Sequence, residues 1–229
     1  MERIEEIRAG GYLPASFLDW EGRVAAVIFT CGCNFRCPWC HNGELALARA
    51  EALPLDKIMA DIKRRAVFLD GVVVSGGEPT LWPCLAPLLR RIRELSLPVK
   101  LDTNGSRPEI LRALFAEGLV DHAAMDVKAP LDSAAYERLT GTAVDIKKIL
   151  SSVEIIKSRA PAYEFRTTYI PTLLTTNDLG VIRRQLADDA HWRLQLFKPN
   201  GCLDPSYLNV SAASAEVLRK AFPGIYIRG

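Results

Sequence analysis

The sequence predicts an α/β fold with a parallel sheet covered by helices. Three observations carry this. Short β-branched runs alternate with amphipathic segments of three-four spacing along most of the 229 residues. The connections between successive runs are long enough for the crossovers that parallel pairing requires. Glycines and turn residues punctuate the runs rather than interrupt them. Six such units fit either a doubly wound sheet or an incomplete barrel. A full eight-fold barrel takes roughly 250 residues, so this chain is slightly short of one.

Taken in order, residues 23–30 (RVAAVIFT) read as a buried strand, followed at once by a cysteine-rich loop. Residues 55–69 read as a helix with Ile58, Met59, Ile62 and Ala66 on one face. Residues 71–75 form a second strand ending in Gly76-Gly77-Glu78-Pro79, and Leu85, Leu88, Leu89, Ile92 and Leu95 mark the next helix. Residues 98–102 form a third strand, closed by Thr103-Asn104-Gly105, and 108–117 a helix with Pro108 in its first turn. Residues 122–127 form a fourth strand, followed by helices over 133–139 and 145–159. A fifth strand covers 163–170 and is cut by Pro171; Asn177-Asp178 caps a helix reaching about residue 187. Residues 192–197 form a sixth strand, 211–221 a last helix and 225–227 a short terminal strand. Residues 1–22 are expected to be an N-terminal extension, with residues 23–229 forming the domain.

Composition narrows the function classes. Apolar residues at 49% and charged residues at 24% are ordinary for a globular chain. Lys and Arg total 29 against 27 Asp and Glu, for a net charge of +2, so nothing global favours nucleic acid. The longest uncharged run, 24–35, is too short to span a bilayer. The N-terminus alternates charges and has no apolar stretch of signal-peptide length. The expectation is a soluble cytoplasmic protein with neither a membrane nor a nucleic-acid partner. In that compartment clustered cysteines read as metal or redox groups rather than disulfides.

Four of the six cysteines, Cys31, Cys33, Cys37 and Cys40, fall within ten residues. Buried inert thiols would be the bland reading, but a glycine- and proline-containing loop suits it poorly. Structural zinc prefers two separated knuckles, and only Cys37-x-x-Cys40 resembles one. An iron–sulfur cluster is the third reading: Cys33, Cys37 and Cys40 supply three thiolates to a cubane usually held by four, leaving one iron open. Other polar residues gather where ligands sit in parallel α/β folds, beyond the carboxyl ends of the strands. These are Gly76-Gly77-Glu78, Asp102 with Asn104, and Asp126 with Lys128.

The spacing Cys33-x3-Cys37-x2-Cys40, with Trp39 before the last cysteine and Gly76-Gly77-Glu78-Pro79 one unit later, resembles the radical S-adenosylmethionine (SAM) superfamily. The cluster loop through His41-Asn42, Leu101-Asp102-Thr103-Asn104-Gly105 and Met125-Asp126-Val127-Lys128 look like those of glycyl-radical-enzyme activating enzymes. Counterparts of residues 11–20, of Arg166-Thr167-Thr168 and of 197–205 point to the short activators of anaerobic ribonucleoside-triphosphate reductase. The resemblance runs from about residue 10 to about residue 205. It implies an incomplete parallel (β/α)6 barrel, a partial TIM barrel.

It also implies one [4Fe–4S] cluster on Cys33, Cys37 and Cys40, with SAM chelating the fourth iron. Reductive cleavage of the sulfonium would give methionine and a 5′-deoxyadenosyl radical, which takes a hydrogen atom from a glycine of a partner. That partner would be a glycyl radical enzyme, foremost a class III ribonucleotide reductase. Electrons would come from a flavodoxin- or ferredoxin-type donor.

SAM contacts are implied for Gly76, Gly77, Glu78, Asp102, Asn104, Asp126, Lys128, Arg166, Trp39 and Gln195. Glycines let backbone approach a ligand closely, and Glu78 can accept hydrogen bonds from the SAM ammonium. Asp102 and Asp126 end neighbouring strands and need a cation or donor between them. In some members a monovalent cation lies there. Lys128 can pair with the SAM carboxylate, Arg166 with SAM or a nearby acid, and Gln195 can line the adenine end. His41 reads as support for the cluster, and Cys31, Cys84 and Cys202 as background. Two rivals remain: a radical SAM enzyme acting on a small molecule or peptide, and a non-catalytic zinc-binding regulatory protein.

Overall fold

A computed structural model describes residues 9–211 and 213–229. The first eight residues of the expected 1–22 extension, with most of its charge alternation, lie outside them, as does Ala212 in the expected 211–221 helix.

Eight strands form one sheet in sequential order: β1 (Ala9–Ser16), β2 (Ala25–Thr30), β3 (Gly71–Gly76), β4 (Val99–Thr103), β5 (His122–Asp126), β6 (Tyr163–Tyr169), β7 (Trp192–Leu196) and β8 (Tyr226–Arg228). From β2 to β8 every pairing is parallel, while β1 runs antiparallel to β2, with Ser16 opposite Ala25. The expected extension therefore supplies an edge strand. Its alternation is weak, because β1 holds two glycines and a proline and is half-exposed. That is why pattern reading passes over it.

The helices are α1 (Gly43–Ala46), α2 (Leu55–Arg65), α3 (Leu85–Glu94), α4 (Pro108–Ala116), α5 (Ser133–Thr140), α6 (Ile146–Arg159), α7 (Thr176–Gln185) and α8 (Ala215–Ala221). Helix α2 buries Leu55, Ile58, Met59 and Ile62, and α3 buries Leu85, Leu88, Leu89 and Ile92, each on one stripe. These stripes join the outward residues Val72, Val74, Leu101, Met125 and Phe165 in the main core. At α7 the cap is Thr175, whose side chain accepts from the Asp178 amide while Asp178 accepts back from Thr175. Asp178 thus completes a capping box one residue-pair earlier than Asn177-Asp178 suggests.

Residues of alternate parity face inward. Trp20, Ala25, Val27 and Val73 make a small second core on the inner face of β2 and β3. From β4 onward the inner face is polar: Lys100, Asp102, Asp126, Glu164, Arg166, Thr168 and Gln195. Side chains from β3 through β8 line a single cavity with the cysteine loop, so the sheet curls into a partial barrel. Its two ends meet through a side chain, the Arg228 guanidinium donating to the Leu18 carbonyl. Among the described residues no helix is long and apolar enough to cross a membrane.

Candidate active site

The cysteine loop leaves the carboxyl end of β2 and is held from three sides by backbone bonds. Gly32 and Cys33 donate to the carbonyls of Leu45 and Ala46, at 2.7 and 3.1 Å. Arg36 N donates to the Thr140 carbonyl at 2.7 Å, and Leu203 and Asp204 donate to the carbonyls of Cys40 and Pro38 at 2.9 and 2.8 Å. The Arg36 guanidinium donates to the carbonyls of Cys33 and Phe35. Burial pushes the Cys33 thiol up to about 11 and the Cys37 thiol up to about 12.

The turn after β3 docks onto this loop. Gly77 N donates to the Thr30 carbonyl at 2.9 Å and Glu78 N to the Gly32 carbonyl at 2.8 Å. A Cβ on Gly77 would lie 2.1 Å from the Gly32 oxygen; one on Gly76, at φ +113°, would lie 2.3 Å from the Thr30 nitrogen. The close approach these glycines permit is thus to the chain's own cysteine loop. Glu78 is fully buried. One carboxylate oxygen accepts from Thr80 N, Thr80 Oγ1 and Thr103 Oγ1 (3.1, 2.5 and 2.8 Å), the other from Asn104 N (2.6 Å). Burial raises its pKa against the pull of these donors. Both oxygens are engaged in tying the β3 turn to the β4 turn. Asn104 Nδ2 in turn reaches Asn34 Oδ1 at 2.9 Å and Cys33 Sγ at 3.8 Å.

The opposite wall is ionic. Arg166 Nε donates to Asp126 Oδ1 at 2.9 Å and Nη1 to Asp102 Oδ2 at 3.2 Å. Lys128 Nζ lies 2.9 Å from Asp126 Oδ2 and 5.0 Å from the centre of the Trp39 ring. Below them Lys100 Nζ lies 3.2 Å from Glu164 Oε1 and donates to the Asp19 carbonyl at 2.6 Å. Burial works against charge on Asp126, yet Arg166 and Lys128 outweigh it and hold the carboxyl down at about 2. Burial likewise works against the Arg166 charge, and Asp102, Asp126 and Glu164 overcome it. Asp102 Oδ1 and Trp39 Nε1 are buried without a hydrogen-bond partner.

All thirteen residues expected from sequence line one cavity of about 260 Å3: Cys33, Cys37, Cys40, Trp39, Gly76, Gly77, Glu78, Asp102, Asn104, Asp126, Lys128, Arg166 and Gln195. Cys31, Cys84 and Cys202 do not line it. His41 lines the cavity too, its Nε2 lying 2.7 Å from the Lys198 carbonyl while its ring stacks on Phe197. Sequence reasoning missed Asp19, Ser75, Thr168 and Arg228, which also line the cavity. Inner-face parity, extended from Arg166 to Thr168 and from Gln195 to its partner Arg228, would have found the last two. A neighbouring cavity of about 320 Å3 shares Asp19, Trp39, Thr168, Gln195 and Arg228 and extends to Leu18 and Gly229 at the seam of the barrel.

Three soft thiol donors face this cavity together. Among the described residues no group of three His, Cys, Asp or Glu converges tightly enough for one metal ion. A multinuclear cluster, whose ligands bind different irons, fits that donor set better than zinc does. The ionic wall, which sets the Lys128 and Arg166 cations beside the Asp102 and Asp126 carboxylates, fits a zwitterionic ligand.

The radical SAM superfamily pattern matches residues 27–179. The chain belongs to the radical SAM superfamily, whose members use a [4Fe–4S] cluster and SAM, and it is an enzyme of that kind. It is 32% identical over 213 residues to a Methanocaldococcus jannaschii protein provisionally named a glycyl-radical enzyme activating enzyme, covering 92% of this chain and 88% of that one. Pyruvate formate-lyase-activating enzyme of Clostridium pasteurianum is 29% identical over 151 residues, 62% of this chain and 58% of that one. A 7-carboxy-7-deazaguanine synthase of Neisseria meningitidis is 25% identical over 190 residues, 77% and 84% of the two chains. Among solved structures, Streptococcus suis SuiB bound to S-adenosylmethionine superimposes with a TM-score of 0.64 at 16% identity, covering 85% of this chain and 45% of that one, a likeness of fold.

Proposed function

We propose that this enzyme installs a glycyl radical on a partner protein, and that the partner is a class III ribonucleotide reductase. The observation that carries the reading is the similarity, along nearly the whole of both chains, to a protein provisionally named a glycyl-radical enzyme activating enzyme. The seam cavity supports it, since a glycine-bearing loop needs a side entrance rather than an enclosed pocket.

With both groups bound, the cluster and SAM supply reductive cleavage of the sulfonium and, through it, abstraction of a hydrogen atom. The chain's residues bind and orient. Cys33, Cys37 and Cys40 hold the cluster, with Asn104 bonded to the Cys33 sulfur. Asp102 would offset the charge of the SAM ammonium or of a monovalent cation beside it. Lys128 and Arg166 offset the SAM carboxylate, while Trp39 and Gln195 flank its adenosyl part on the seam side. Glu78 is assigned to the turn rather than to the ligand, because it is fully buried and both its oxygens already accept hydrogen bonds from the β3 and β4 turns. A flavodoxin- or ferredoxin-type protein supplies the electron.

The test is electron paramagnetic resonance of the candidate reductase after anaerobic incubation with the reconstituted enzyme, SAM and dithionite. A glycyl doublet on the reductase is the expected result. SAM cleavage with no doublet on it would overturn the assignment of partner, and no SAM cleavage at all would overturn the reading. The similarity to a deazaguanine synthase supports a second reading, a small-molecule substrate. SAM cleavage coupled to conversion of a small molecule, without any protein radical, would favour it.

A further inference from the structure

Another cavity, of about 600 Å3, opens beside the amino ends of β4 to β7 and the last residue of β8. That volume is within the range of small-ligand sites. The floor of a parallel barrel is ordinarily filled by packed side chains. Here it carries His122 from β5, Glu164 from β6, Arg193 from β7 and Arg228 from β8, with Lys100 from β4 beside them.

The charges are unequally satisfied. Glu164 is held by Lys100 at 3.2 Å and by Arg166 at 4.0 Å. Among the described residues Arg193 donates only to the main-chain carbonyls of Ala190 and Trp192, at 2.7 and 3.4 Å, and its guanidinium stands over the Tyr226 ring. Among the described residues Arg228 donates only to the Leu18 carbonyl. Neither arginine has a carboxylate partner among the described residues. His122 Nε2 is buried with no partner, its ring edge-on to Trp20. The wall thus has three cations (Lys100, Arg193, Arg228) against two carboxylates (Glu21, Glu164), a surplus of one before either histidine is protonated. His191, the other histidine, is already turned to Asp189 through Nδ1 at 3.0 Å. Guanidinium forks with spare donors are the group best matched to planar or tetrahedral oxyanions.

We propose that this cavity binds a small anion through carboxylate or phosphate oxygens, gripped by Arg193 and Arg228 with His122 on its floor. The site shares Arg228 with the reaction cavity and adjoins its ionic wall, because Lys100 lies between Glu164 and Asp102, 3.8 Å from the latter. An anion here competes for Lys100 and so acts on the network that ends at Asp102 and Arg166.

Isothermal titration calorimetry of the cluster-loaded enzyme with inorganic phosphate and with citrate tests this, and which probe binds identifies the oxyanion. Saturable one-to-one binding of at least one is expected, weakened at least tenfold in Arg193→Gln, restored in part by Arg193→Lys, and unaffected by saturating SAM. Absence of saturable binding of both, equal binding by Arg193→Gln, or displacement by SAM would overturn the proposal. Should Arg193→Gln fail to fold, the His122 ring decides in the unmutated enzyme. Burial, then Lys100 and Arg166, hold its pKa down to about 4 against Glu164 and Asp102. A bound anion favours the charged ring, so its titration followed by NMR moves upward with the bound probe; an unmoved titration sinks the idea.

Discussion

The two walls of the reaction cavity are built by different physics. The cysteine wall, from the ends of β2 and β3, is held by main-chain hydrogen bonds, by glycines that let two loops touch, and by a buried carboxylate used as a strut. The wall from β4 to β6 is held by side-chain ion pairs around Arg166. A cluster must be seated in a rigid, dry loop, so that wall spends its polar groups on itself. A zwitterionic ligand must be met by charges, so the other wall keeps them within reach and neutralises each by its neighbours. The difference predicts that damage to the first wall shows in iron content and damage to the second in ligand affinity.

The largest effect belongs to Cys37→Ala. Iron and labile sulfide per chain should fall to background, with SAM cleavage lost, whereas Cys202→Ala, outside the cavity, should keep both; equal iron in the two variants would erase the distinction between walls. Gly77→Ala comes next. Its Cβ meets the Gly32 carbonyl, so the β3 turn must lift from the cysteine loop, at a cost of about 4 kcal/mol in stability. Loss of iron on anaerobic gel filtration should accompany the lower melting temperature. Arg166→Gln should cost about 3 kcal/mol, because Asp102 and Asp126 lose their shared counter-charge. Iron content should stay at the unmutated level while SAM affinity falls at least tenfold by calorimetry.

How much of this was legible in the sequence follows the same division. The cysteine wall is local: Cys33, Cys37 and Cys40 lie within eight residues, and Gly76-Gly77-Glu78 is contiguous, so spacing alone locates them. Strands β2 to β7 were readable because each is a short run bounded by turn residues and followed by a loop or an amphipathic helix. Strand β1 was not, because its two glycines and half-exposed residues carry no period. The ionic wall was legible only as a set of names. That Asp102 and Asp126 meet through Arg166 depends on the β4–β5–β6 register, which no local pattern encodes. Glu78 shows the limit most clearly. Its chemistry suggested a ligand contact, but whether its oxygens are free depends on Thr103 and Asn104, twenty-five and twenty-six residues away. Arg228 escaped notice because a three-residue strand gives too short an alternation to reveal which face it shows.

The smallest effect is the acid limb of stability, and it tests whether the ionic wall is neutralised as described. Asp126 is half-buried, and burial alone would raise its pKa; Arg166 and Lys128 overcome this and hold it at about 2, below the value of about 3.9 for an aspartate in an unfolded chain. The native state therefore binds fewer protons at this group than the unfolded state does between those values. The stabilisation is fully present above about pH 4 and is lost as pH falls through about 2. In Asp126→Asn the contribution is absent at every pH. Melting temperatures of the two proteins should thus differ most near pH 7, by a few degrees, and converge toward pH 2. Other carboxylates titrate in both chains and cancel in the difference. A gap that stays constant from pH 7 to pH 2 would mean that Asp126 acts through shape rather than charge, and that the wall owes its cohesion to packing, as the cysteine wall does.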